Sequence, residues 1–316
     1  MLVDDYNRPV DYLRISVNRS CNYRCVYCDR EGYQSDEEVM LSPGDVERIV
    51  RIFNEVGNIQ KVKITGGEPL LHPEIVDIVK AIASTGEIVD ISMTTNGFLL
   101  APLAGSLKAA GLGRVNISLC SVNPENFQRI TGVDGLDAVI AGIDAAKEAG
   151  LGPIKINFVL MKGINDGELE NVLAFSAEKE VRLQLIELHQ IDDIECAGAV
   201  FFDTHFLDAD EALASISLPV ERIEYRDLQH RKITHYTNGT SVETVKMSPS
   251  FCEQCTKIRI TADGRIKPCL MRQASAEYNL LSALRNGASP EEIRAMILDA
   301  VQERKPYLQN DVEACQ

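Results

Sequence analysis

The sequence predicts an α/β fold: a partial (βα)6 TIM-like barrel followed by a C-terminal extension. Three observations carry that expectation. Short β-branched runs alternate with amphipathic stretches over the first two-thirds of the chain, at the roughly 25–40-residue rhythm of βαβ units on a parallel sheet. Polar, glycine-bearing motifs follow several of these runs, at the strand ends where such folds collect their chemistry. The alternation stops near residue 190, after six units, two short of a closed eightfold barrel.

The six strand-like runs are LRISV (13–17), KVKIT (61–65), VDISM (89–93), RVNISL (114–119), IKINFVLM (154–161) and RLQLIEL (182–188). Ser42 opens the first helix, with Pro43 at its first position and an acidic residue close behind. PEIVDIVKAIAS, APLAGSLKAAG, DAVIAGIDAAKEAG and GELENVLAFSAEKE supply the next helices, most of them closing at a glycine or in a charged turn. NRSCNYRC follows the first run, GGEP the second and TTNG the third, and Ser118 ends the fourth. Beyond residue 190, DIECAGAVFF (193–202) reads as irregular and DADEALASI (208–216) as a short helix. Asn238-Gly239 and Asp263-Gly264 are hairpin dipeptides. The second of them folds Cys269 back beside Cys252 and Cys255. Helices over 279–285 and 290–304 finish a chain that divides into a barrel, 1–190, and a packed extension, 191–316.

Composition is that of a globular chain of 316 residues, 45% hydrophobic and 25% charged. No apolar run of about 18 residues offers a membrane span, and the acidic start lacks a basic-then-apolar leader, so a cytoplasmic location is expected. A net charge of −15 argues against a nucleic-acid partner. It still allows an anionic small-molecule substrate, because a few cations focused in one cleft suffice. Nine cysteines in a reducing compartment point to metal binding or catalysis before disulfides.

Six of those cysteines form two trios, Cys21, Cys25 and Cys28 in CNYRCVYC, and Cys252, Cys255 and Cys269. Three thiolates hold three corners of a [4Fe–4S] cube and leave one iron open to a small molecule. For the first trio the alternatives are zinc and simple buried thiols. Structural zinc wants a fourth ligand, and no cysteine or histidine occurs within 40 residues after Cys28. Buried thiols leave Tyr27 unexplained. The second trio, taken alone, also suits zinc or a redox pair, with Cys315, His230 and His235 poorly placed as a fourth ligand.

With TGGEP (65–69) beside it, the first trio resembles the radical S-adenosylmethionine superfamily. The resemblance implies a [4Fe–4S] cluster whose open iron binds S-adenosylmethionine, with GGEP near its amino group. FCEQCTKIRITADGRIKPCL resembles the C-terminal cluster segment of the GTP 3′,8-cyclase family of molybdenum-cofactor biosynthesis, in its archaeal form. LRISVNRSCNYRCVYC, KVKITGGEPLLHPEI, TTNG, VNISL, LMKGIND and QLIEL extend that likeness over most of the chain. It implies a lyase converting GTP to (8S)-3′,8-cyclo-7,8-dihydroguanosine 5′-triphosphate, the first step of molybdopterin synthesis. It further implies two [4Fe–4S] clusters held by the six cysteines, S-adenosylmethionine, and an electron donor. A downstream cyclic pyranopterin monophosphate synthase would take the product, and a homodimer is compatible with the family.

Carried over position by position, Tyr27, Gly67, Ser118 and Asn157 match S-adenosylmethionine contacts. Arg14, Lys61, Lys63, Thr94, Lys155, Lys257 and Arg259 match GTP contacts. A lone lysine reads as a solvated surface charge. Lys61 and Lys63 share a strand face, as do Lys257 and Arg259, and such pairs beside cysteine loops point to anion binding. No residue is singled out as a catalytic acid or base, and His189 reads as a satisfied polar residue at a strand end.

Three positions depart from the family pattern. Lys257 replaces an arginine, keeping charge and losing the bidentate fork. Cys120 replaces an aspartate, as packing or as a hydrogen-atom donor. The chain ends NDVEACQ without a Gly-Gly tail. The rival readings are a radical enzyme acting on another nucleotide or a peptide, and a non-catalytic iron–sulfur protein.

Overall fold

The computed structural model describes residues 1–28, 39–189, 197–226, 229, 231–271 and 276–306. His230, Cys315 and the terminal NDVEACQ lie outside them. In chain order the barrel half contains β1 (Leu2–Val3), β2 (Pro9–Val10), β3 (Tyr12–Ser16), α1 (Pro43–Gly57), β4 (Lys61–Thr65), α2 (Ile75–Ser84), β5 (Asp90–Thr95) and α3 (Leu100–Ala109). It continues with β6 (Arg114–Ser118), α4 (Pro124–Thr131), α5 (Leu136–Glu148), β7 (Lys155–Leu160), α6 (Leu169–Glu178) and β8 (Arg182–Glu187). The extension contains α7 (Ala197–His205), α8 (Ala209–Ala214), β9 (Val220–Tyr225), β10 (Lys232–Tyr236), β11 (Ser241–Val245) and α9 (Pro249–Glu253). It ends with β12 (Lys257–Ile260), β13 (Ile266–Lys267), α10 (Leu280–Arg285) and α11 (Pro290–Gln302).

The six expected strands, β3 to β8, lie side by side and parallel, in sequence order. The extension continues this sheet at both ends. β12 pairs parallel with β3, and β11 pairs parallel with β8. Antiparallel partners, β13 on one side and β10 then β9 on the other, complete an 11-stranded sheet.

Alternation along each strand explains the layering. Leu13, Ile15, Val62, Ile64, Met93, Val115 and Ile117 are buried without residual exposure in the hydrophobic core. Their neighbours Arg14, Lys63, Thr94, Arg114, Asn116 and Ser118 line a cavity on the opposite face of the sheet. The helix starts obey local rules. Ser42 and Asp45 form a reciprocal capping box on α1, and Ser289 and Glu292 do the same on α11.

Two helices depart from the sequence reading. α7 covers much of the stretch expected to be irregular. Its Gly198 and its lack of a polar stripe hide a helix held by contacts one turn apart, Phe201 against His205 and Phe202 against Phe206. α4 lies in a stretch to which the sequence reading assigns no element. Pro124 opens it, Asn123 caps it by accepting from the Asn126 backbone, and Gly132 closes it in the left-handed region.

Candidate active site

The first cysteine loop leaves β3 and is fixed from three sides. Gly67 N–H donates to Asn18 O (2.9 Å), Glu68 N–H to Ser20 O (2.7 Å), and Asn18 Nδ2 to Glu68 O (2.9 Å). The two glycines of GGEP are needed for this contact. A Cβ on Gly67 would sit 2.4 Å from both Arg19 O and Ser20 O, and one on Gly66 2.9 Å from Asn18 O. On the other side Arg24 and Val26 donate backbone bonds to Thr131 and Ile130 at the end of α4. Tyr23 packs edge-on between Phe98 and Phe127, with ring centroids 6.1 and 6.0 Å away. The helix missing from the sequence reading thus buttresses the cysteine loop.

Glu68 knits GGEP to TTNG. Its carboxylate accepts from Leu70 N–H (3.0 Å), Thr95 Oγ1 (2.6 Å) and Asn96 N–H (2.6 Å). Burial pushes its pKa up to about 7 against the pull of those donors. With its carboxylate committed to those three donors, Glu68 anchors the loop.

The second trio sits between α9 and the β12–β13 hairpin. Cys255 N–H donates to Cys252 O (3.2 Å), and the hairpin register, Arg259 opposite Lys267, returns the chain to Cys269. The Arg19–Asp263 ion pair (2.9 Å) ties the first cysteine loop to the turn of this hairpin. All six cysteines line one cavity of about 1190 Å³. Their chemistry suits iron–sulfur clusters: soft thiols, three to a group, with an N–H aimed at sulfur from Tyr23 to Cys21 Sγ (3.4 Å). Among the described residues no three His, Cys, Asp or Glu side chains form a cage for a single metal ion.

Strand register arranges the cations in rows. Arg259, Arg14, Lys63, Ser92 and Arg114 stand abreast on β12, β3, β4, β5 and β6. Thr94, Asn116, Lys155 and Arg182 form a second row, and Ser118, Asn157, Gln184 and Glu243 a third. Among the described residues the cavity lining holds fourteen Lys and Arg against two carboxylates, Asp90 and Glu187. An acidic protein has therefore concentrated positive charge in its interior cleft. Burial, then the like charges of Arg114, Arg14, Lys257 and Lys155, push the Lys63 pKa well below the lysine range. Lys257 is depressed the same way, by burial and then Arg231, while its Nζ donates to Gln229 Oε1 (3.0 Å).

One carboxylate balances part of this charge. Glu243 pairs with Lys155, with Arg231 (3.0 Å) and with Arg226 (3.2 Å). Burial raises its pKa, yet the three cations win and hold it down at about 2. Lys155 loses more to burial than Glu243 returns, and its pKa falls to about 8.

Every residue selected from the sequence lines the cavity except Lys61. Lys61 shares a strand face with Lys63, but it stands two residues nearer the start of β4 and pairs with Asp11 (3.0 Å). Arg114, Arg182, Arg226, Gln229 and Arg231 line the cavity without having been selected. The period of two on β6 and β8 marks Arg114 and Arg182. The others follow no motif. Cys120 is buried and absent from the lining, as packing requires. His189 lines the cavity, where burial lowers its pKa to about 4 and keeps it neutral.

A parallel barrel whose first loop presents three cysteines beside a glycine cradle defines the radical S-adenosylmethionine class. Residues 15–176 match the model of the Radical SAM superfamily, and the chain belongs to it. Such proteins use a [4Fe–4S] cluster and S-adenosylmethionine. Residues 181–310 match the model described as Molybdenum Cofactor Synthesis C. Within the superfamily the chain belongs to the family of proteins named "Probable GTP 3′,8-cyclase". The Thermococcus kodakarensis member is 44% identical over 97% of this chain and 99% of its own length. Those of Pyrococcus abyssi and Methanothermobacter marburgensis are 41% and 38% identical at the same coverage. Among solved structures, Streptococcus suis SuiB bound to S-adenosylmethionine superposes with a TM-score of 0.60. That match covers 91% of this chain and 68% of SuiB, and at 16% identity it speaks for the fold alone.

Proposed function

We propose that this chain is a GTP 3′,8-cyclase, a lyase forming (8S)-3′,8-cyclo-7,8-dihydroguanosine 5′-triphosphate. The observation that carries the reading is the single cavity that both cysteine trios face across a belt of cations. The near-full-length relatives supply its chemical name. Residues 1–190 act as the radical unit and 191–316 as the extension for the auxiliary cluster and substrate.

When bound, the first cluster and S-adenosylmethionine supply one-electron chemistry for hydrogen-atom abstraction. Cys21, Cys25 and Cys28 would hold that cluster. Tyr27, Gly67, Ser118 and Asn157 line the neighbouring wall, where they orient S-adenosylmethionine. Cys252, Cys255 and Cys269 would hold a second [4Fe–4S] cluster, which would offer an open coordination position to the purine. Arg14, Lys63, Lys155, Lys257 and Arg259 bind the triphosphate, with Arg114 and Arg231 in support, and Thr94 contacts the nucleoside. Arginine forks and lysine point charges match phosphate oxygens, and holding both reactants in one cavity supplies the orientation that the ring closure needs. An electron donor and a downstream synthase that takes the cyclised nucleotide complete the partners. A cytoplasmic location agrees with the absence of a membrane-length apolar helix among the described residues.

The test is anaerobic turnover of the reconstituted protein with S-adenosylmethionine, reductant and GTP, ATP or UTP in turn, read by mass spectrometry. A GTP-dependent product isomeric with GTP, formed alongside 5′-deoxyadenosine, is expected. Deoxyadenosine without that isomer would remove GTP as the substrate and keep the superfamily chemistry.

A further inference from the structure

Both ends of the described chain converge on the second cysteine pair. Arg8 Nε donates to Asp4 Oδ2 (2.8 Å), and Arg304 Nη1 lies 3.1 Å from the same oxygen. The Asp4 side chain is wholly buried, and those of Arg8 and Arg304 are 6% and 2% exposed. The remaining donors point at cysteine backbone. Arg8 Nη1 donates to Cys252 O (2.8 Å), and Arg304 Nη2 donates to Cys255 O. Two further bonds, Arg8 Nη2 to Arg304 O and Arg304 Nη1 to Arg8 O, close the group on itself.

Burying two guanidiniums on one carboxylate is expensive, and apolar residues of similar volume would serve stability as well or better. The arrangement leaves one positive charge in excess, held against the backbone of two cysteines of the trio. A cluster gains negative charge on reduction, so a fixed positive charge beside it favours the reduced form.

We propose that Asp4, Arg8 and Arg304 clamp the second trio: the guanidiniums fix the Cys252 and Cys255 carbonyls, and the clamp's net charge sets the reduction potential of the cluster held there. The inference rests on the two-cluster reading above. The three are positioning residues, because they act through the cysteines.

The test is a redox titration of the reconstituted full-length protein followed by electron paramagnetic resonance. S-adenosylmethionine is added to shift the first cluster's signal away from the second. Asp4→Asn raises the clamp's charge and should move the second cluster's potential positive. Arg8→Gln lowers the charge and should move it negative. Arg8→Lys keeps the charge and should stay near the wild type, which separates electrostatics from general loosening. The first cluster's potential should not follow any of them. Shifts of the same sign for Asp4→Asn and Arg8→Gln, or no shift in a wild type carrying two clusters, overturn the clamp alone. A wild type that binds one cluster and leaves Cys252 and Cys255 open to alkylation overturns the two-cluster reading, and the clamp with it.

Discussion

Replacing Glu243 by Gln removes the counter-charge of three cavity cations while nearly preserving shape. The ionised carboxylate holds Lys155, Arg231 and Arg226, and its pKa lies at about 2 against an ordinary 4.5. That difference corresponds to about 3 kcal/mol, at about 1.4 kcal/mol per unit. Removing one partner of a buried ion pair independently costs roughly 3–5 kcal/mol. Glu243→Gln should therefore lose about 3 kcal/mol at pH 7.5 in urea denaturation followed by circular dichroism. A depressed carboxylate stabilises above its unfolded pKa and loses that contribution as pH falls toward its folded one. The gap between wild type and variant should thus be complete above about pH 4.5 and close toward pH 2. Saturating inorganic tripolyphosphate should narrow it at pH 7.5, because the anion replaces the missing charge beside Lys155. A loss below about 1 kcal/mol, or a gap that widens in acid, would refute Glu243 as the counter-charge.

Lys63→Ala should raise the KM for GTP at least tenfold, whereas Lys61→Ala, which breaks only the pair with Asp11, should leave it within twofold, as initial-rate kinetics would reveal. Because Lys63 is depressed by burial and by neighbouring cations, a bound triphosphate should raise its pKa back toward the lysine range. Calorimetry in buffers of different ionisation enthalpy, run as a pH series, should register proton uptake on nucleotide binding wherever the free lysine has begun to lose its proton, and affinity should weaken as pH rises. Gly67→Ala drives a methyl group into two carbonyl oxygens of the cysteine loop. It should cut S-adenosylmethionine affinity by tenfold or more in equilibrium dialysis while leaving iron at the second trio intact.

The barrel is legible in the sequence because each strand carries two messages in alternation. Ile64 beside Lys63, or Val115 beside Arg114, gives both a core face and a wet face to anyone reading by twos. The cysteine loops and the Asp263-Gly264 hairpin are equally local, and so their convergence is foreseeable. Lys61 fails because facing inward is not enough. Its height along β4 and the presence of Asp11 decide where its charge goes, and neither follows from spacing. Arg226 and Arg231 escape for a related reason. Only the pairing of β11 with β8 sets Glu243 behind the cavity wall, where it gathers the lining arginines Arg226 and Arg231. For α4 the signals were present in Asn123, Pro124 and Gly132, but Phe127 and Ile130 are too few apolar positions to show a helical period.

The two parallel pairings made by the extension bear on how the chain is born. β3 and β8 are the outer strands of the six-stranded half, and each waits for a partner encoded far downstream, β12 and β11. During synthesis at about 5–20 residues per second, the nascent chain would carry two bare parallel edges. The interval from β8 to the end of β12, Glu187 to Ile260, lasts roughly 4–15 s at that rate. Uncovered edges of that kind template pairing with other chains. The protein is thus most vulnerable to aggregation after its catalytic barrel has been made and before its last third has left the ribosome.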